Sequence, residues 1–291
     1  MQDQAAQLRQ IASKLRQSRE QKQKSKTRLV TVTSGKGGVG KTNFSVNLAL
    51  SLAKRGFRVV IIDADFGLAN VNVVLGVSTK YDLTHVLNDE KTIFEVMTEG
   101  PGGIKFISGG AGFSDVFELS REDVEKYIEK LMVLEDVADI IIIDTGAGIN
   151  EGILNFIKAS HDIILVTTPE PTALMDAYAL VKTVAHQDFD VNFRLVVNMA
   201  HSVREAENTI TNFKTLAKTY LGLDIDPLGY LIYDKAVSEA VRQQTPYIYS
   251  FPKSEVAKNM QNIVLKFLDE PADNYYKNSF SRFLRNFFSS K

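Results

Sequence analysis

The chain contains no cysteine. That single absence excludes disulfide bridges, thiolate zinc sites, cysteine-held iron–sulfur clusters and cysteine nucleophiles, and four scattered histidines do not replace them. A long hydrophobic run is also missing: the purest apolar stretch, Ile140 to Ile143, is four residues between Asp139 and Asp144, against the roughly 20 that a membrane-crossing helix needs. The N-terminus is polar and basic without an apolar stretch, so a secretory signal is not expected there. Charge of either sign is not in excess. With 34 basic and 35 acidic residues the net charge is −1, which gives no general reason to expect a nucleic-acid partner. What remains is an ordinary globular composition, 44% hydrophobic and 24% charged over 291 residues. At roughly 100 to 200 residues per domain, that allows one large domain or two small ones.

The charge is unevenly spread. Residues 1–28 carry eight Lys/Arg against Asp3 and Glu20, a local balance of +6. Leu8, Ile11 and Leu15 recur there at helical spacing, one thin apolar stripe that cannot pack a core by itself. From Leu29 the texture changes to β-branched strands alternating with amphipathic helices. Strands are expected at 29–33, 58–62, 104–108, 139–143, 162–167, 194–198 and 228–232, with helices over 43–54, 121–134, 173–185, 203–220 and 253–268. This alternation predicts an α/β fold, a doubly wound and mostly parallel sheet with helices on both faces, whose ligands bind at the carboxyl ends of the strands. Pro271 to Asn274 reads as a linker. The expected division is therefore a basic segment (1–28), a body (29–270) and a linker with a short tail (271–291).

The strongest motif is Gly35-Lys36-Gly37-Gly38-Val39-Gly40-Lys41-Thr42, a G-x-x-x-x-G-K-[ST] loop placed between a strand and a helix, as a P-loop requires. Its glycines let backbone N–H groups turn inward around phosphate oxygens, Lys41 reaches the β and γ phosphates, and Thr42 ligates Mg²⁺. Gly35, Gly37, Gly38, Val39, Gly40, Lys41, Thr42 and Asn43 are the nucleotide-binding set. Asp63, Asp65 and Asp144 follow apolar strands. A carboxylate there either holds Mg²⁺ and its waters or orients the attacking water; the plainer alternative is a turn or cap residue. Lys36 is a second lysine at the loop tip, for which simple solvation is the alternative.

Lys36 to Thr42 resembles the deviant Walker A motif of the MinD/ParA family. The resemblance implies that Lys36 crosses to the partner's nucleotide in an ATP-sandwiched homodimer, with ATP/ADP and Mg²⁺ as the cofactors. Asp63-Ala64-Asp65-Phe66-Gly67-Leu68-Ala69-Asn70 is similar to the family's switch I. That match gives Asp65 the water-orienting role, Asp63 a place with Thr42 and Asp144 at the metal, and Asn70 a dimer contact. Asp144-Thr145-Gly146-Ala147-Gly148 resembles its Walker B and switch II. Asn198 becomes the adenine-contacting candidate, with strand-end capping as its alternative.

Both ends of the chain add to this. Phe280, Phe283, Leu284, Phe287 and Phe288 fall at i, i+3, i+4, i+7 and i+8, with Arg282 and Arg285 among them. This is a basic amphipathic helix suited to an anionic membrane surface, or else one that docks on its own domain. Asp3-Gln4-Ala5-Ala6-Gln7-Leu8-Arg9 resembles the D-Q-A-x-x-L-R signature of the FlhG (YlxH, FleN) branch of the family. The resemblance implies that Asp3, Gln4, Ala5, Leu8 and Arg9 stimulate an FlhF-type GTPase. It also implies flagellar C-ring and basal-body partners, and a cytoplasmic protein reversibly held at the inner membrane face. A nonspecific basic tail is the alternative for this segment. Among related functions, a cell-division MinD gives no reason for the Asp3 to Arg9 segment, and a ParA-type DNA partitioner should have a basic body.

Overall fold

Period-2 runs of Val, Ile and Leu make the strands, and the layout follows from where their two faces go. The computed structural model describes residues 27–65, 70–110, 121–160, 162–187, 191–269 and 280–288, with backbone alone for residues 121–125, 280–282 and 286. Asp3, Gln4, Ala5, Leu8 and Arg9, the linker at 271–274, and the stretch Phe66 to Ala69 lie outside the described residues. The elements are β1 (Arg28–Ser34), α1 (Lys41–Ala53), β2 (Val59–Ala64), α2 (Val71–Leu75), α3 (Leu83–Leu87), α4 (Ile93–Val96), β3 (Thr98–Glu99), β4 (Lys105–Ser108), α5 (Arg121–Met132), α6 (Leu134–Val137), β5 (Ile140–Ala147), α7 (Glu151–Ala159), β6 (Asp162–Thr167), α8 (Pro171–Ala185), β7 (Asn192–Ala200), α9 (Val203–Leu221), β8 (Asp226–Ile232), α10 (Lys235–Arg242), α11 (Tyr247–Ser250), α12 (Glu255–Leu268) and α13 (Phe280–Phe288).

The strands form one sheet in the order β3-β4-β2-β5-β1-β6-β7-β8, parallel except for the short β3 against β4. The order reverses around β1, the usual place for a ligand in such sheets. Val30, Val32, Ile140, Ile142, Ile164 and Val166 point to one face, where α1 and α12 cover them. Their neighbours Ile141, Ile143, Ile163 and Leu165 point to the other, beneath α5, α7, α8 and α9. Helix starts carry the expected caps: Asn150 accepts the Ile153 N–H at 2.9 Å to open α7, and Ser202 accepts that of Glu205 at 3.1 Å to open α9.

The end of the sheet away from the P-loop is fastened by a buried cluster. Arg28, the first residue of β1, donates to Asp162 Oδ2 at 3.0 and 2.6 Å and to the Phe267 carbonyl at 2.7 Å. Its guanidinium lies 3.5 Å from the Phe267 ring centroid. One side chain thus joins the starts of β1 and β6 to the last turn of α12.

The expected strands and long helices are present, with two differences that matter. β2 runs to Ala64 and β5 to Ala147, so Asp63 and Asp144 lie inside their strands rather than beyond them. The expected helix 121–134 stops at Met132, and α6 follows after Val133. At the C-terminal end, α13 packs on α7 and α5 of its own chain. Phe283, Leu284 and Phe287 are buried, the Phe156 ring lies 4.3 Å from that of Phe287, and Phe288 meets Tyr127 edge-on at 5.8 Å. This is the docking position; Arg285 stays exposed, and the side chains of Phe280 and Arg282 lie outside the described residues.

Candidate nucleotide-binding site

β1 delivers the chain into the P-loop, and α1 takes it away. Gly38 and Gly40 both have positive φ, 78° and 90°, a conformation glycine adopts without a steric cost. A Cβ on Gly40 would also stand 2.4 Å from the Asn198 amide nitrogen. Glycine is required at Gly35 for a different reason: a Cβ there would lie 2.2 Å from the backbone of Asp176 in α8. The loop is therefore wedged between β7 and α8, with its backbone held for a ligand.

Asp63 and Asp144 are direct partners in the parallel pairing of β2 and β5, so their side chains share the face that α1 covers. Ser45, one turn into α1, donates to Asp144 Oδ1 at 2.8 Å, and Thr42 bonds the same carboxylate. Burial pushes the Asp144 carboxyl up to about 7, and the charge of Asp63 pushes the same way, while Thr42, Ser45 and Lys41 pull it down. Asp144 is thus poised to give up its proton when a cation arrives. Lys41 is itself buried and donates to Ser34 Oγ at 2.8 Å. Desolvation lowers its pKa, opposed by Asp144 and Asp65.

Asp63 is engaged by backbone donors. Its carboxylate accepts backbone N–H groups from Asp65 at 3.2 Å, Asn70 at 3.0 Å and Val71 at 3.2 Å. It ties together the two ends of the loop after β2. Burial raises its pKa to about 6, against the pull of those three donors. Asp65 accepts from the Asn70 side chain at 3.3 Å and lies 3.2 Å from the position a Cβ on Gly146 would take, so it sits over the end of β5. Gly148 donates to the Ser34 carbonyl at 3.0 Å, which binds the segment after β5 to the start of the P-loop.

Lys36 folds back over its own chain. Its ammonium donates to Glu170 at 3.2 Å and Thr172 at 2.9 Å at the start of α8. Both members of the ion pair are well exposed, 40% and 66%, and such pairs contribute only ~0–1 kcal/mol, so the lysine is easily exchanged to another anion. Asn198 is buried and engaged on both sides of its amide: it donates to the Val39 carbonyl at 2.8 Å and accepts the Met199 N–H at 2.9 Å. In this state it supports the loop.

Among the described residues no three acidic or histidine side chains converge on one point. Thr42 and Asp144 supply one hydroxyl and one buried carboxylate, a hard oxygen pair that suits Mg²⁺, which takes its remaining ligands from phosphate and water. No sequence motif marks Ser34, Ser45, Glu170 or Thr172. Ser45 was findable, being three residues after Thr42 on the same helical face.

The family model described as "ParA: NUBPL iron-transfer P-loop NTPase" matches residues 25–268. The chain belongs to the ParA/MinD family of P-loop NTPases. Within this family it is 36% identical over 238 residues to the antiactivator FleN of Pseudomonas aeruginosa, covering 82% of this chain and 85% of the relative. It is also 36% identical over 223 residues to the flagellum site-determining protein YlxH of Helicobacter pylori, covering 76% and 75%. These likenesses put it in the FlhG-type branch. A structure of MinD from Pyrococcus horikoshii complexed with Mg-ADP has the same fold, with a TM-score of 0.67 at 22% identity, covering 84% of this chain and 96% of that one. As a ParA/MinD-type NTPase without cysteine, this chain has no thiolate with which to hold iron.

Proposed function

We propose that the chain is an ATP-hydrolysing regulatory switch that controls flagellar number and placement. Mg²⁺-ATP closes two copies face to face, the paired C-terminal helices hold an anionic membrane surface, and hydrolysis releases them. The likeness to a flagellum site-determining protein over three quarters of both chains carries the flagellar assignment. Lys41 and the loop N–H groups bind the β and γ phosphates, and Asp65 orients the attacking water. Mg²⁺ held by Thr42, Asp63 and Asp144, directly or through its waters, would neutralise phosphate charge.

The rim of the site supports dimerisation. Val73, Ile149, Met175, Val203 and Tyr233 are all large, 43–61% exposed, and placed just after strands or in the first turns of helices at the carboxyl edge of the sheet. Exposed apolar side chains at the edge that carries the charged site suit a second copy of the chain, to whose nucleotide Lys36 crosses once it leaves Glu170. Asn70 is a further contact on that face, and Asn198 reaches the adenine. Membrane attachment requires α13 to undock, since Phe283, Leu284 and Phe287 cannot face both α7 and lipid. No helix among the described residues is long and apolar enough to span a bilayer, so attachment is peripheral. Residues 1–28, apart from Thr27 and Arg28, which the body holds, act as a separate arm that stimulates an FlhF-type GTPase, residues 29–270 are the ATPase, and 271–291 the membrane arm. C-ring and basal-body proteins are the expected targets.

ATP turnover with and without anionic liposomes tests the proposal. Turnover should need Mg²⁺ and rise on liposomes, and sedimentation with them should need ATP; avidity of two tails raises binding by ~10² to 10⁴ over one. Lys41→Ala should lose nucleotide binding, whereas Lys36→Ala should bind ATP yet stay monomeric in analytical ultracentrifugation. An Asp65→Ala protein that hydrolyses at the normal rate, or a Lys36→Ala protein that dimerises, overturns the corresponding role.

A further inference from the structure

A groove of about 380 Å³ opens between the α3–α4 connection and the end of α5. Val86, Ile93, Phe94 and Val133 supply its apolar lining, and Phe94 is 53% exposed, a large aromatic with nothing over half of it. The rim is acidic. The groove is lined by the carboxylates Asp89, Glu90 and Glu95 against Lys91 and Lys130, and Glu129 is exposed on α5 one residue before Lys130. Lys130 and Lys91 are already paired with Asp89 at 2.7 Å and Glu95 at 2.9 Å. Among the described residues, Glu90 has only a histidine at 3.9 Å. The backbone at Asp89 is left-handed, with φ of 60°, and this bend turns its carboxylate, 82% exposed, outward at the groove's lip.

The chain enters the described body beside this groove. Thr27 donates to the carbonyls of Glu135 at 3.0 Å and Ala138 at 2.8 Å, and Glu135 is two residues from the groove-lining Val133. The residues before Thr27 carry seven Lys/Arg against Asp3 and Glu20, a balance of +5, and the stripe Leu8, Ile11 and Leu15. From Leu15 to Thr27 the chain reaches up to about 40 Å, ample to bring the stripe onto Phe94. We infer that this groove is the docking site of the protein's own N-terminal segment. The stripe covers Phe94 and Ile93, and Arg16, Arg19, Lys22 and Lys24 lie along the acidic rim. A thin apolar stripe flanked by cations matches a short apolar groove flanked by carboxylates, and the tether makes the contact intramolecular. Docking competes with any outside partner of the segment, because one narrow stripe cannot face two surfaces. The inference rests on groove and segment alone, so it stands or falls separately from the ATPase reading.

The absence of native cysteine makes a crosslinking test direct. In the full chain, Ser13→Cys is paired with Lys91→Cys at the groove, or with Ser238→Cys on α10 near the opposite edge of the sheet as control, and treated with a short bismaleimide. The groove pair should give an internally crosslinked monomer in a yield well above the control. Adding Phe94→Asp, or Glu90→Lys with Glu129→Lys, should cut that yield about fivefold, and salt at about 0.5 M should weaken it through screening. These exposed substitutions leave the core intact, which the melting temperature verifies. A groove-pair yield equal to the control, a yield indifferent to Phe94→Asp and to the charge reversals, or a product that is a crosslinked dimer overturns docking in cis.

Discussion

The buried carboxylate of Asp144 should destabilise the nucleotide-free protein as pH rises, and Asp144→Asn should remove that penalty. The folded pKa is raised from 3.8 to about 7, so the sign follows. Asp144 adds no penalty below its unfolded pKa, and stability is lost progressively as pH climbs through the folded one. Each tenfold weakening of acidity on folding costs about 1.36 kcal/mol, so the full penalty is about 4 kcal/mol, of which about 2.5 kcal/mol falls between pH 5 and pH 8. For a chain of this length that corresponds to about 4 °C in melting temperature. The amide introduced by Asp144→Asn keeps an acceptor for Ser45 and Thr42 but never ionises, so the variant's stability should decline less over the same interval by that amount. Asp63, also raised, to about 6, leaves a residual slope of the same sign in both proteins. Urea unfolding at pH 5 and pH 8, without Mg²⁺ or nucleotide, reads the difference directly. Mg²⁺-nucleotide should restore the wild type at pH 8 and not the variant, and binding at pH 7 should release about half a proton, seen as buffer-dependent heat. Parallel stability curves for the two proteins would refute the argument.

Gly40→Ala places a Cβ at positive φ and against Asn198; a loss of ~1 to 3 kcal/mol in unfolding free energy is expected from the backbone strain, with weaker nucleotide binding in a fluorescence titration. Arg28→Ala strands Asp162 in the buried cluster and should cost ~3 to 5 kcal/mol in chemical denaturation, with nucleotide affinity changed little because the cluster lies at the far end of β1.

The parallel sheet and the long helices were legible because their signal is redundant: β1 and β5 are runs of branched residues, and α9 and α12 repeat apolar positions over several turns. The P-loop was legible because its glycines have no other economical use. The short helices α2, α3 and α4 were not, since four or five residues cannot display a period and their capping boxes at Asp82 and Thr92 lie among ordinary polar residues. α7 was hidden by Gly152 and by the turn residues ahead of it. Asp63 shows a different limit. Sequence places a carboxylate near the end of a strand, but it does not show that the backbone N–H groups of Asp65, Asn70 and Val71 converge on it. The tail shows a third: a basic amphipathic helix reads alike whether its apolar face meets lipid or, as in this structure, Phe156.

The Arg28 clamp has a mechanical meaning. The C-terminal arm departs just beyond Phe267, whose carbonyl and ring are both held by the first residue of β1. β1 is seven residues of fully buried strand, a rod about 23 Å long at the usual rise, bonded to neighbouring strands on both sides, and its other end is the phosphate loop. If the tail is anchored as proposed, a pull on it would reach β1 through Arg28, where loading along the strand is resisted in shear by the hydrogen bonds to β5 and β6 together. The proposed tether would thus load the body without deforming the nucleotide site.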